Sequence, residues 1–177
     1  MSAIETFSFG EYTMRPAGAD DLQIARVWNA LDRWHRDCIK PEFWIEQKLR
    51  RDSFLMLDRL GPLLFFKMHG HGPKNDWRSD RVQIFIQFPP APPFGLERKN
   101  HFYRVGSGVE KGFAWLERIL IANGVEELFF DSESVSLVLF CTRNLGFNRD
   151  GHRLSKILIP DREPRAEQRE IAHVRAD

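Results

Sequence analysis

The stretch from Arg104 to Phe147 sets the tightest limits on what this chain can fold into. Arg104-Val105-Gly106-Ser107-Gly108 leads into Val109, Phe113, Leu116, Ile119 and Leu120, apolar residues at helical spacing, and the run closes at Asn123-Gly124. Leu128-Phe129-Phe130 is a short, continuously apolar run, the pattern of a buried strand. Ser134 then stands as the N-cap of a second periodic segment ending near Asn144, with Gly146 as its stop. The spacing predicts a glycine-rich turn that opens a helix near Ser107, then a strand, then a further helix. Glycines at a helix start let backbone N–H groups approach an anion where the helix dipole is positive.

Upstream, Tyr12 to Pro16 reads as a first strand, stopped by proline and Ala17-Gly18. Asp20 and Asp21 favour a helix start. Ile24, Val27, Trp28, Leu31 and Trp34 extend that helix from about Asp21 to Arg36. Pro41 opens a second helix, to about Arg51. Phe54 to Leu57 and Leu63 to Met68 read as a hairpin, followed by a polar loop from His69 to Asp76 and a strand from Arg81 to Phe88. Pro89, Pro90, Pro92 and Pro93 end that strand. The segment from Pro89 to Tyr103 is long for a strand-to-helix connection and reads as an excursion that shapes a site. Arg153 to Ile159 is the final strand.

These elements give one α/β domain over residues 1–160, a mixed central sheet flanked by helices in the order β-α-α-β-β-β-α-β-α-β. Residues 1–10 read as a loose lead-in and residues 161–177 as a charged tail. The 177 residues suit a single core, and 15 Phe with 5 Trp imply a bulky core or an aromatic-lined cleft. A net charge of +1 gives no electrostatic reason for nucleic acid or an anionic membrane as partner. No apolar run reaches the length of a membrane span. Cys38 and Cys141 lie far apart and suggest no disulfide framework, so the expected compartment is a reducing cytoplasm.

The element order, Gly106 and Gly108, and the segment from Leu139 to Phe147 with its closing Leu-Gly-Phe resemble the GCN5-related N-acetyltransferases. The resemblance implies that fold and transfer of an acetyl or other acyl group from coenzyme A to an amine. The acceptor would be a small molecule or a protein, and a homodimer is compatible with the family. Acetyl-CoA would be the co-substrate, its pyrophosphate on the turn, with Gln87, Phe88, Arg104, Val105, Gly106, Ser107, Gly108 and Val109 as the binding residues. The chain departs from the family pattern at Tyr103, where Gln or Arg is usual.

The reaction needs a deprotonated amine, a polarised thioester carbonyl and a stabilised thiolate. The strand from Val82 to Phe88 offers Gln83 and Gln87 where the family often has a carboxylate, and Thr142 stands where it often has tyrosine. Asp131 and Glu133, after the following strand, are the substitute bases, with His101 and Glu42 as further candidates. Thr142 is the candidate hydrogen-bond donor to sulfur. His69, His71 and Asp76 read as a plain loop, with no metal expected. Cys141 reads as a small core residue. The alternative to an enzyme is a binding or regulatory protein that kept the fold without the catalytic residues.

Overall fold

Side chains alternate across a strand, so each strand of a covered sheet serves two cores. The computed structural model describes residues 6–31, 53–70, 80–92 and 95–158. Strands β1 (Phe7–Phe9), β2 (Tyr12–Pro16), β3 (Ser53–Asp58), β4 (Gly61–Gly70) and β5 (Arg81–Gln87) form an antiparallel meander. β6 (Glu127–Asp131), β7 (Asn148–Asp150) and β8 (Arg153–Ile157) form a second antiparallel group. One parallel pairing, β5 with β6, joins them into a sheet of order β1-β2-β3-β4-β5-β6-β8-β7. Among the described residues the helices are α1 (Leu22–Leu31), α2 (Gly95–Ala122) and α3 (Val135–Asn144), with a 3₁₀ turn over Ala19–Asp21.

One face of the sheet presents Met14, Phe54, Met56, Leu64, Phe66, Val82 and Ile84 to Val109, Phe113, Leu116 and Leu120 of α2 and to Val138 and Cys141 of α3. The other face presents Leu55 and Phe65 to Ala25 and Trp28 of α1. Phe113, Phe130 and Phe147 meet as a ring triplet with centroids 5.1 to 5.7 Å apart, which fixes α2, β6 and the segment after α3 on one another. Cys141 is fully buried among these groups, and burial pushes its thiol up to about 12. It is a core residue, as its sequence position suggests.

The opening of α1 is held by charge. Arg15 donates to both carboxylate oxygens of Asp21, at 2.7 and 2.6 Å, and the Gly18 N–H donates to the same carboxylate at 2.7 Å. Burial works to raise the Asp21 pKa, but these hydrogen bonds and the Arg15 charge outweigh it and hold the carboxyl below the usual range.

The mixed α/β sheet, the hairpin and the helix capped by Ser134, which accepts from the Leu137 N–H, stand as expected. Several boundaries do not. Phe7–Phe9 is a paired edge strand instead of part of a loose lead-in. β4 runs on through His69 to Gly70, and β7 forms a hairpin with β8 that the sequence reading lacks. The helix expected from Pro41 to Arg51, the end of the first helix and the tail from 161 lie outside the described residues.

The largest correction is α2. It starts at Gly95, about three turns before the expected opening near Ser107. Gly95 takes a φ of +85°, which lets the chain turn into the helix directly after the prolines. Glu97 lies in the first turn, at the positive end of the dipole. Arg98 lies 5.4 Å from the Phe102 ring and Lys99 5.8 Å from the Tyr103 ring, pairs one turn apart that support the added helix.

Leu116 is wholly buried on the α2 face that meets the sheet. Leu116→Ala is expected to lower unfolding stability by about 2–5 kcal/mol, measured by urea titration. A loss under about 1 kcal/mol would mean that this face of α2 packs otherwise.

Candidate functional site

The parallel ladder between β5 and β6 is short. Arg81 pairs with Glu127, Val82 with Leu128 and Gln83 with Phe129. Beyond that, β5 continues to Gln87 beside β4, while β6 continues to Asp131 beside β8. The two strands part because each stays with its own antiparallel neighbour. Where they part, Gln83 donates to Asp131 at 3.3 Å and Arg153 donates to the same carboxylate at 3.1 and 3.4 Å. The Arg153 guanidinium also lies 4.7 Å from the Phe129 ring. Gln87 donates to Asn29 of α1 at 3.2 Å. This parting is the natural candidate site, because the ladder to β6 ends at Gln83 while β5 runs on to Gln87 beside β4.

Asp131 stands at the parting, and Glu133 lies exposed just beyond β6. Asp131 is engaged by Arg153 and Gln83, so it would act as a base only after giving up part of that network. Thr142 donates its hydroxyl to the carbonyls of Val138 at 2.9 Å and Leu139 at 3.3 Å, within its own helix. His101 lies on α2, half-buried, and burial followed by the charges of Arg104 and Arg98 lowers its pKa and favours the neutral ring. Glu42, His71 and Asp76 lie outside the described residues. No group of three or more metal-ligating side chains is found among the described residues.

The turn expected at residues 104–109 is helical. Arg104, Val105, Gly106, Ser107, Gly108 and Val109 occupy the third and fourth turns of a continuous helix. Each N–H there points to the carbonyl four residues back. The first amides of this helix lie at its start at Gly95, about three turns before residues 105–109.

Two of these glycines have a packing reason. A Cβ on Gly108 would lie 2.5 Å from Leu63 Cδ2, and one on Gly112 would lie 2.4 Å from Phe66 Cζ. Both glycines let α2 lie close on β4. Gly106 has no such neighbour, since its Cβ would meet only Phe140 Cε2, at an ordinary 3.7 Å.

Arg104 and Ser107 are tied to the sheet. Arg104 donates to both Asp58 oxygens at 2.6 and 2.7 Å and to the carbonyls of Gly61 and Pro62 at 3.2 and 3.3 Å. Ser107 shares a 2.7 Å hydrogen bond with the Tyr12 hydroxyl. Burial works to raise the Asp58 pKa, but the Arg104 hydrogen bonds, the Leu60 N–H and the nearby guanidinium charges lower it further. The four-residue spacing of Gly108 and Gly112 was a legible sign of close packing on one helix face. Asp58 and Tyr12 had no sequence signal as partners of the helix.

No family profile matches the sequence, and no curated protein does. Among solved structures, an acetyltransferase of the GNAT family from Bacillus anthracis superposes with TM-score 0.61 at 10% identity, over 86% of this chain and 98% of that one. A GCN5-related N-acetyltransferase from Brucella melitensis gives 0.56 at 12% identity, over 87% and 79%. AAC(6')-Ib, solved in complex with ribostamycin and coenzyme A, gives 0.56 at 16% identity, over 84% and 94%. The chain therefore has the fold of the GCN5-related N-acetyltransferases.

The glycines give a graded test. Gly112→Ala is expected to cost about 1–3 kcal/mol through the clash with the Phe66 ring. Gly106→Ala should be neutral or stabilising by up to about 1 kcal/mol. Equal losses at the two positions would contradict the packing. The Asp58 pair gives a pH test. Its folded pKa is depressed, so its contribution is fully present above the unfolded value of about 3.9 and is lost as pH falls through the folded one. Asp58→Asn should therefore lower stability most at neutral pH, and the difference from wild type should shrink in acid. A difference independent of pH from 7 to 3 would contradict it.

Proposed function

We propose that this chain is a binding or regulatory protein built on the acetyltransferase fold, acting through interaction and not through acetyl transfer from coenzyme A. The observation that supports this reading is the unbroken course of α2 through Gly106 and Gly108. A pyrophosphate needs several free N–H groups converging on it, and at 105–109 those groups belong to the helix ladder. Arg104 and Ser107, the polar side chains nearest that position in sequence, are bonded to Asp58 and Tyr12. The Thr142 hydroxyl is bonded within its helix, so a departing thiolate would lack a donor there.

Acyl transfer from acetyl-CoA to an amine is the second reading, and the parting of β5 and β6 favours it. In that reading the edge of β5 to Gln87 and Phe88 lines the arm of the acyl donor, and Asp131 or Glu133 takes the amine proton through water. The amine acceptor is a small molecule or a protein, in a reducing cytoplasm.

Thermal unfolding with coenzyme A and acetyl-CoA at millimolar concentration separates the two readings. A ligand at 100 times its Kd stabilises the native state by about 2.7 kcal/mol. The first reading expects no shift with either compound and no product against a panel of amines. A shift together with acetyl-CoA-dependent product, reduced in Asp131→Asn or Glu133→Gln, would install the second.

A further inference from the structure

The side of α2 turned away from the sheet carries a regular pattern. Leu96, Lys99, Tyr103, Gly106, Glu110 and Ala114 recur at intervals of three and four, so they form one stripe along the helix, about 27 Å long. Leu96 is 71% exposed and Tyr103 68%, and Lys99, Glu110 and Ala114 are exposed as well. Lys99 lies 5.8 Å from the Tyr103 ring and Glu110 3.8 Å from Lys111, contacts within this outer surface. Neither a positive φ nor a close neighbour requires glycine at 106, where a Cβ would meet Phe140 Cε2 at an ordinary 3.7 Å. Glycine is nonetheless among the least favourable residues inside a helix. At Gly108 and Gly112 close packing within the chain accounts for it, and at Gly106 it does not.

The stripe is complementary to itself in reverse. Let two copies of α2 lie antiparallel about a two-fold axis that passes beside residues 104 and 105. Leu96 then falls on Ala114 of the second copy, Lys99 on its Glu110 and Tyr103 on its Gly106, and the axis repeats every contact. Each large side chain meets a small one, and each cation meets a carboxylate. We propose that this chain forms a two-fold dimer through the exposed stripe of α2, with the Tyr103 ring of each copy seated over Gly106 of the other. Glycine at 106 then has the role it lacks in the single chain, since it gives the facing ring room against the helix backbone. The two Lys99–Glu110 pairs set direction and register, because a parallel pairing would place Lys99 beside Lys99. The contact uses no residue of the parting of β5 and β6, so it goes beyond either reading of function.

Sedimentation of the full chain, from low micromolar to submillimolar concentration, tests it. One pair of helices is a small interface, so a monomer–dimer equilibrium in the micromolar range is expected. Lys99→Glu or Glu110→Lys alone replaces two attractive pairs by two repulsive ones and should raise the dimer Kd by roughly tenfold. The double variant carries both pairs with their signs exchanged and should return the Kd to within about twofold of wild type. Gly106→Leu fills the space of the facing ring and should abolish the dimer, with urea unfolding to show that the variant is folded. If it does not fold, the charge exchange still decides. A monomer at every concentration would leave the stripe to some other protein and overturn the proposal. So would a dimer indifferent to the single reversals, or one that the double variant does not restore.

Discussion

The distance at which α2 lies above β4 governs much of the rest. With no side chain at Gly108 and Gly112, the helix backbone comes down onto Leu63 and Phe66, and Phe113, one residue further along, reaches Phe130 and Phe147 beneath it. A Cβ at either glycine would have to lift the helix or move a wholly buried side chain. Lifting it would also pull Arg104 from Asp58 and Ser107 from Tyr12, since all of these contacts lie on the same helix. Close packing and the polar ties therefore reinforce one another, and neither has slack of its own.

Two arginine–carboxylate pairs stand at corresponding places on the two faces. Arg15–Asp21 fixes the entry to α1 on one side, and Arg104–Asp58 fixes α2 on the other. In each pair the carboxylate is almost withdrawn from solvent while the guanidinium stays partly wet. Bidentate geometry makes such pairs directional, so they set where a helix begins or lies more than they add net stability. The pairs at Arg81–Glu127 and Arg153–Asp131 are more exposed and both guanidiniums lie near the Phe129 ring, the first pair at the paired end of the β5–β6 ladder and the second at the parting.

Much of the fold was legible because period and punctuation agreed. Leu116 and Leu120 fall on the helix face that is buried, Leu128 to Phe130 form a buried strand, and Ser134 caps where a serine should. The site was less legible, and the reason is glycine. A Gly-x-Gly pair marks either a turn or a close approach, and only the tertiary partner decides which. Leu63 and Phe66 are more than forty residues away in sequence, and nothing local announces them. Arg98–Phe102 and Lys99–Tyr103 support the turns that precede the point near Ser107 where the sequence pattern would have started the helix. Phe7–Phe9 and Asn148–Asp150 were missed for another reason, being three-residue edge strands too short to show a period.

The three-pair ladder between β5 and β6 bears on how the sheet can open. Within the antiparallel groups, β3–β4 and β7–β8 are hairpins that close small loops, whereas the β2–β3 pairing, Thr13 with Leu57, joins residues about as far apart in sequence as the parallel ladder does. The parallel pairing joins Arg81 to Glu127 across the whole of α2, and it too is a non-local closure. Two antiparallel groups that meet along a three-pair seam have little there to resist separation when the native state fluctuates. The parting of β5 from β6 is the permanent, outermost part of that seam, so wider opening of the sheet needs only the loss of Gln83–Phe129 and the two pairs behind it.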